Sequence, residues 1–258
     1  MILPSMTYKE IYDNLANDLK KVQIKEEYLR SRAIREFKKE RKFPAYRWYE
    51  YTIPSTKNTY VIYFYAESKL SIEKPMVDNF AIVFENKKRF VIKWAAGGYK
   101  HTENSPLVFI RQIHAYTSHF FERYNERILH NSTLSANDVS CIYLSRNKLE
   151  EGIPIEMNEE INKHLKQYGE DAKFGFRVRD GFCFAMSRCE GEIDAGGDRT
   201  KDKVNAMLVL YTTFMNESDM GESQRSAIKR GCLKTWRHYI QDIKNNTKDG
   251  YIRVRLEP

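Results

Sequence analysis

Apolar residues recur every three or four positions at Ile11, Leu15, Leu19 and Val22, the period of a helix that buries one face. Thr7 and Glu10 have the spacing of a capping box, in which each side chain accepts from the other's backbone N–H, so a helix is expected to start there. A second helix is expected over residues 25–42, stopped by Pro44, because proline disfavours helical geometry in the residue before it. Its lysines and arginines alternate with Glu26, Glu27, Glu36 and Glu40, which reads as a solvated face rather than a clamp for nucleic acid.

From Tyr46 the period changes to two. Residues 46–53, 59–65, 80–84 and 89–94 alternate and are rich in Tyr, Phe, Val and Ile, the marks of strands, with Glu85-Asn86-Lys87-Lys88 as a hairpin turn. Gly97 and Gly98 are expected to break the pattern, and residues 107–113 to add a further strand. Connections this short favour antiparallel pairing. Helices are expected over 118–129 and, capped by Ser135, over 136–145, with another near 158–168. Strands 174–178 and 182–187 flank an Arg179-Asp180-Gly181 turn, and residues 190–203 read as a charged loop. A strand at 206–214, a helix at 222–244 and a strand at 251–256 complete the chain. The class is α+β: N-terminal helices, a largely antiparallel sheet, and helices packed on it. A boundary near residue 100 would separate 1–100 from 101–258, and a continuous sheet is the alternative.

Composition narrows the partners. With 41% hydrophobic and 30% charged residues among 258, the chain is expected to fold as a globular protein. A net charge of +8 makes polyanions natural partners. No apolar run approaches membrane length, so no membrane partner is expected. The start, Met1-Ile2-Leu3-Pro4-Ser5-Met6, turns polar too soon for a signal peptide. Cys141, Cys183, Cys189 and Cys232 form no CxxC pair and have no matching histidines. Reduced thiols in the cytoplasm, with no metal and no cofactor, are therefore expected.

The chemical signal lies at His119, Arg123 and Arg127, four residues apart, which a helix stacks along one edge. An imidazole near a helix N-terminus and two guanidiniums is held neutral, and the arginines suit a phosphate. Glu122 and Glu126 offer the alternative, ordinary surface ion pairs.

The run His119-x-x-x-Arg123-x-x-x-Arg127, followed by Leu134-Ser135-Ala136-Asn137-Asp138-Val139, resembles the toxin-related domains of the barnase–EndoU–colicin–RelE group. Gly181-Phe182-Cys183-Phe184 and Leu210-Tyr211-Thr212-Thr213-Phe214 fall in similar order, as do Asp219, Met220 and Gln224. The resemblance spans residues 113–227 and departs from the group in a long extra N-terminal segment and an insertion at 147–173. It implies a metal-independent endoribonuclease, toxin-related or carried by a mobile element, or an inactive relative. In that mechanism His119 takes the proton of a ribose 2′-hydroxyl, which attacks the adjacent phosphate. Arg123 and Arg127 stabilise the phosphoryl oxygens, aided by Thr212 or Thr213, only one of which can face the site on a regular strand. His114, on the strand before, is either a second acid or a buried structural histidine.

The last helix carries Arg230, Lys234, Arg237 and Lys244 opposite an apolar stripe. Residues 223–258 hold nine Lys or Arg against three Asp or Glu, a pattern that fits a rail for a phosphate backbone or a helix merely solvated by cations. Three readings follow: a ribonuclease, with RNA and a protein partner or inhibitor as its partners; a non-catalytic protein docking nucleic acid or a protein partner through that basic face; and an accessory protein touching no nucleic acid.

Overall fold

The computed structural model describes residues 1–3, 5–99, 108–148, 153–155, 174–192, 203–218, 247–248 and 251–252, with Met157, Glu159, Glu222 and Ser226. The fold is α+β. One helix, α1 (Tyr8–Phe37), leads into strands β1 (Ala45–Thr52), β2 (Thr59–Ala66), β3 (Met76–Glu85), β4 (Lys88–Tyr99) and β5 (Val108–Thr117). Two short helices follow, α2 (Ser118–Tyr124) and α3 (Ala136–Arg146). Strands β6 (Ile153–Ile155), β7 (Phe174–Val178), β8 (Gly181–Glu192) and β9 (Lys203–Met215) come next, then a small pair, β10 (Thr247–Lys248) and β11 (Tyr251–Ile252).

Among the described residues, nine strands form one sheet in the order β1-β2-β3-β4-β5-β9-β8-β7-β6, so strands from both sides of residue 100 share it. Every pairing is antiparallel except β5 with β9, which run parallel and stack Tyr116 on Tyr211 at 4.4 Å. A parallel neighbour needs a crossover, here supplied by α2, α3 and the strands β6–β8. Strand β4 runs through Gly97 and Gly98 instead of stopping there, because β5 pairs with it as far as Tyr99. The hairpin between β3 and β4 turns on Asn86 and Lys87, both at positive φ, the geometry that matches strand twist in a two-residue turn.

The first seventy residues correct one expectation. A single helix spans Tyr8–Phe37 where two were expected. Nothing between Val22 and Lys25 breaks it, and the buried positions Leu15, Asp18, Val22, Leu29, Ala33 and Phe37 make one continuous stripe. The Thr7–Glu10 capping box starts the helix as read. Buried Asp18 locks it to the sheet, accepting from Thr56 Oγ1 at 3.0 Å, Asn58 Nδ2 at 2.6 Å and Tyr60 Oη at 3.1 Å.

The sheet has a core on each face. Against α1 pack Ile53, Ile62, Phe64, Ala81, Ile92 and Ile113. Against α2 and α3 an aromatic cluster forms from Tyr116, Phe120, Phe121, Tyr124, Tyr143, Tyr211 and Phe214. Asp180, in the β7–β8 turn, ties that layer together by accepting from Tyr124 Oη at 2.6 Å, Arg146 Nη2 at 2.7 Å and Asn147 Nδ2 at 2.9 Å.

Candidate functional site

Helix α2 begins where Thr117 Oγ1 accepts from the Phe120 N–H at 3.1 Å, and it buries Phe120, Phe121 and Tyr124. A π turn over Asn125–Leu129 follows, closed by His130 at φ 50°. His119 is thereby held at the surface, 47% of its side chain accessible. Its Nδ1 lies 3.8 Å from a Glu122 carboxylate oxygen, and its Nε2 accepts from Arg123 Nε at 3.4 Å. Arg123 is also paired to Glu126 at 2.9 Å. The result is an alternating Glu122–His119–Arg123–Glu126 chain along one exposed helix edge, the arrangement in which i,i+3 and i,i+4 charges satisfy each other.

The remaining residues proposed with His119 are directed elsewhere. Arg127 Nη1 donates to the Phe214 carbonyl, and Asn216 Nδ2 donates back to the Arg127 carbonyl at 3.0 Å. That guanidinium staples the end of β9 under the π turn. Strand β9 does not alternate regularly, because Phe184 faces Thr213 while Ala185 faces Tyr211, leaving Thr212 as a bulge. Tyr211 and Phe214 consequently both enter the core beneath α2, and Thr213 between them is fully buried. Thr213 therefore cannot donate to an incoming phosphate. Thr212 Oγ1 is 3.4 Å from the Phe184 carbonyl, which it serves as donor. His114 belongs to neither group: it is mostly buried, with Nδ1 3.3 Å from Tyr211 Oη, and burial followed by the nearby Lys93 charge lowers its pKa to about 4.

Arg230, Lys234, Arg237 and Lys244, the expected basic rail, lie outside the described residues, as do all residues of the expected helices at 158–168 and 222–244 except Glu159, Glu222 and Ser226. A different basic surface is present among the described ones. Lys25, Tyr28, Arg32 and Arg35 fall on one edge of α1, beside the stripe that packs on the sheet, and line a groove against the edge strand β1. The Lys25 ammonium sits 4.5 Å above the Tyr28 ring and 5.5 Å from that of Tyr51. The Arg32 guanidinium lies 4.9 Å from the Tyr49 ring. Tyr28 is 74% exposed. Burial pushes the Tyr49 phenol up to about 12, so it stays protonated and neutral.

The glutamates that made this helix look like a plain solvated face are largely engaged. Glu36 pairs with Arg32 at 2.9 Å and with Arg47 at 3.3 Å, Glu40 pairs with Arg47, and Glu26 accepts from Asn79 Nδ2 at 2.8 Å. Arg47 comes from β1, so the sheet itself neutralises acids that the linear order sets among the helix cations. The 25, 28, 32, 35 spacing was the available signal, a helical edge alternating cation and aromatic. Its strand partners Tyr49 and Tyr51 could not be attached to it without the fold. Comparison with known protein families, curated proteins and solved structures finds no match to this chain.

Proposed function

We propose that the protein binds single-stranded nucleic acid, RNA foremost, across the groove between α1 and β1, and that it does so without cleaving it. The observation that carries this reading is the interleaving of Lys25, Arg32 and Arg35 with the rings of Tyr28, Tyr49 and Tyr51. Unpaired bases stack on exposed aromatic rings irrespective of sequence, and cations beside the rings meet the backbone phosphates. An exposed cation–π contact is worth only about 0.5–1 kcal/mol and a surface ion pair no more than about 1 kcal/mol, so Lys25 leaves its ring readily, and Arg32 its ring and Glu36, when a base takes the ring and a phosphate takes the charge. Residues 20–42 hold ten Lys or Arg against four Glu, which adds the long-range attraction. Thiols free at Cys141, Cys183 and Cys189 fit a reducing compartment, the cytoplasm, where RNA is abundant.

Binding is favoured over cleavage because the His119 lone pair that would take a ribose proton already faces Arg123, while Arg127 is turned to a backbone carbonyl. A photo-crosslinking experiment with a 4-thiouridine oligonucleotide tests the assignment. Adducts are expected on Tyr28, Tyr49 or Tyr51, with the RNA intact in the presence of chelator. Chelator-resistant cleavage abolished by His119→Ala would replace this reading with the ribonuclease.

A further inference from the structure

Strands β3 and β4 are joined only along part of their length. They pair from Glu85↔Lys88 back to Ala81↔Ile92, and no farther. Beyond that point β3 stays with β2 as far as Met76, while β4 follows β5 as far as Tyr99. The sheet therefore opens into a V-shaped seam between two strands that are neighbours in sequence. Giving up a ladder between adjacent strands leaves backbone donors and acceptors along both rims, which a folded protein tolerates where something else meets them.

A cleft of about 480 Å³ occupies the seam, a size typical of small-ligand sites. Leu15, Leu19 and Trp94 line it toward α1, and Asp78, Lys93 and His114 toward α3. The Lys93 ammonium reaches across the seam to the Asp78 carboxylate, which also accepts from Tyr63 Oη at 2.9 Å and from the Asn79 N–H at 2.7 Å. His114 faces Lys93 across the β4–β5 ladder. The ring is mostly buried and neutral, so it has one donor and one acceptor nitrogen. Nδ1 meets Tyr211 Oη, whereas Nε2 is buried with no partner among the described residues. A buried orphan nitrogen at the rim of a cleft is a polar group awaiting a partner.

We propose that this seam binds a small, net-neutral organic molecule that carries a hydrogen-bond donor and an acceptor at one end and an aromatic or aliphatic body behind them. The charges of Asp78 and Lys93 cancel, so a lone anion gains Lys93 but meets Asp78, and a lone cation meets the reverse. A carboxamide, or the zwitterionic head of an α-amino acid, satisfies both: its acceptor takes Lys93, its donor takes Asp78, and His114 Nε2 completes the set. The apolar body rests on Leu15, Leu19 and Trp94. This site is separate from the RNA groove, which lies at the β1 edge.

Saturation-transfer NMR on the whole chain tests the proposal with four probes sharing one phenyl body: phenylacetamide, phenylalanine, phenylacetate and phenethylamine. The amide and the amino acid are expected to bind, and the anion and cation to bind at least about tenfold more weakly. His114→Phe and Lys93→Met are each expected to weaken phenylacetamide about tenfold, the loss of one polar contact. Absence of binding by all four probes at millimolar concentration overturns the proposal. So does equal affinity for phenylacetate or phenethylamine, or unchanged affinity in a variant that still unfolds cooperatively. Lys93→Met decides alone if His114→Phe does not fold.

Discussion

Helices α1 and α2 both carry cations one turn apart, and the fold uses them in opposite ways. On α2, Arg123 lies between His119 and Glu126, and Arg127 is committed to the Phe214 carbonyl. On α1, Lys25 rests on tyrosine rings, and Arg32 rests on one while also pairing with Glu36 of its own helix at 2.9 Å. Of the acids near that edge, Glu36 is shared between Arg32 and Arg47 from β1, and Glu40 pairs with Arg47. The difference teaches that the spacing of cations along a helix says little about their availability. What matters is which groups the neighbouring strand brings to them. On α2 those groups are a carboxylate of the same helix and a backbone carbonyl, whereas on α1 the strand adds tyrosine rings beside the cations and Arg47 beside Glu36.

The contrast can be broken most forcefully by reversing the α1 charges. Lys25→Glu with Arg32→Glu and Arg35→Glu is expected to weaken binding of a fluorescent oligouridylate by about a hundredfold in anisotropy titrations, since three phosphate contacts become repulsive. A smaller effect is expected from Tyr28→Ala, about tenfold, because one base loses its stacking platform. Its signature is an unchanged slope of affinity against salt, which separates stacking from charge. Arg127→Ala should leave RNA affinity alone and lower stability by about 1–2 kcal/mol in urea unfolding, the value of a charge-assisted hydrogen bond to a carbonyl. Smallest of all, His119→Ala should change RNA affinity less than about twofold and stability hardly at all, as for an exposed ion pair.

Much of the fold was legible in the sequence where the determinants are local. The Thr7–Glu10 capping box, the Ser135 cap, the Asn86–Lys87 turn and the strand-forming runs of β1, β2 and β9 each depend on residues within a few positions of one another. The misreadings came from partners far away in the chain. Arg127 looked free because its acceptor, Phe214, lies 87 residues on. Thr212 and Thr213 were judged by regular alternation, which the bulge opposite Phe184 and Ala185 breaks. Gly97 and Gly98 looked like a stop, yet β5 zips to them from the far side of a connection. The tyrosines of β1 acquire meaning only once α1 lies beside them, and the β3–β4 seam leaves no trace in periodicity at all.

The most direct test of the central claim is the salt-dependent affinity of the intact chain and of the Lys25→Glu, Arg32→Glu, Arg35→Glu triple variant for one fluorescent oligouridylate. The account predicts binding by the intact chain that weakens as salt rises, and a variant that is folded but about a hundredfold weaker at low salt. Equal affinity of the two proteins, or no binding by the intact chain at low salt, would contradict it.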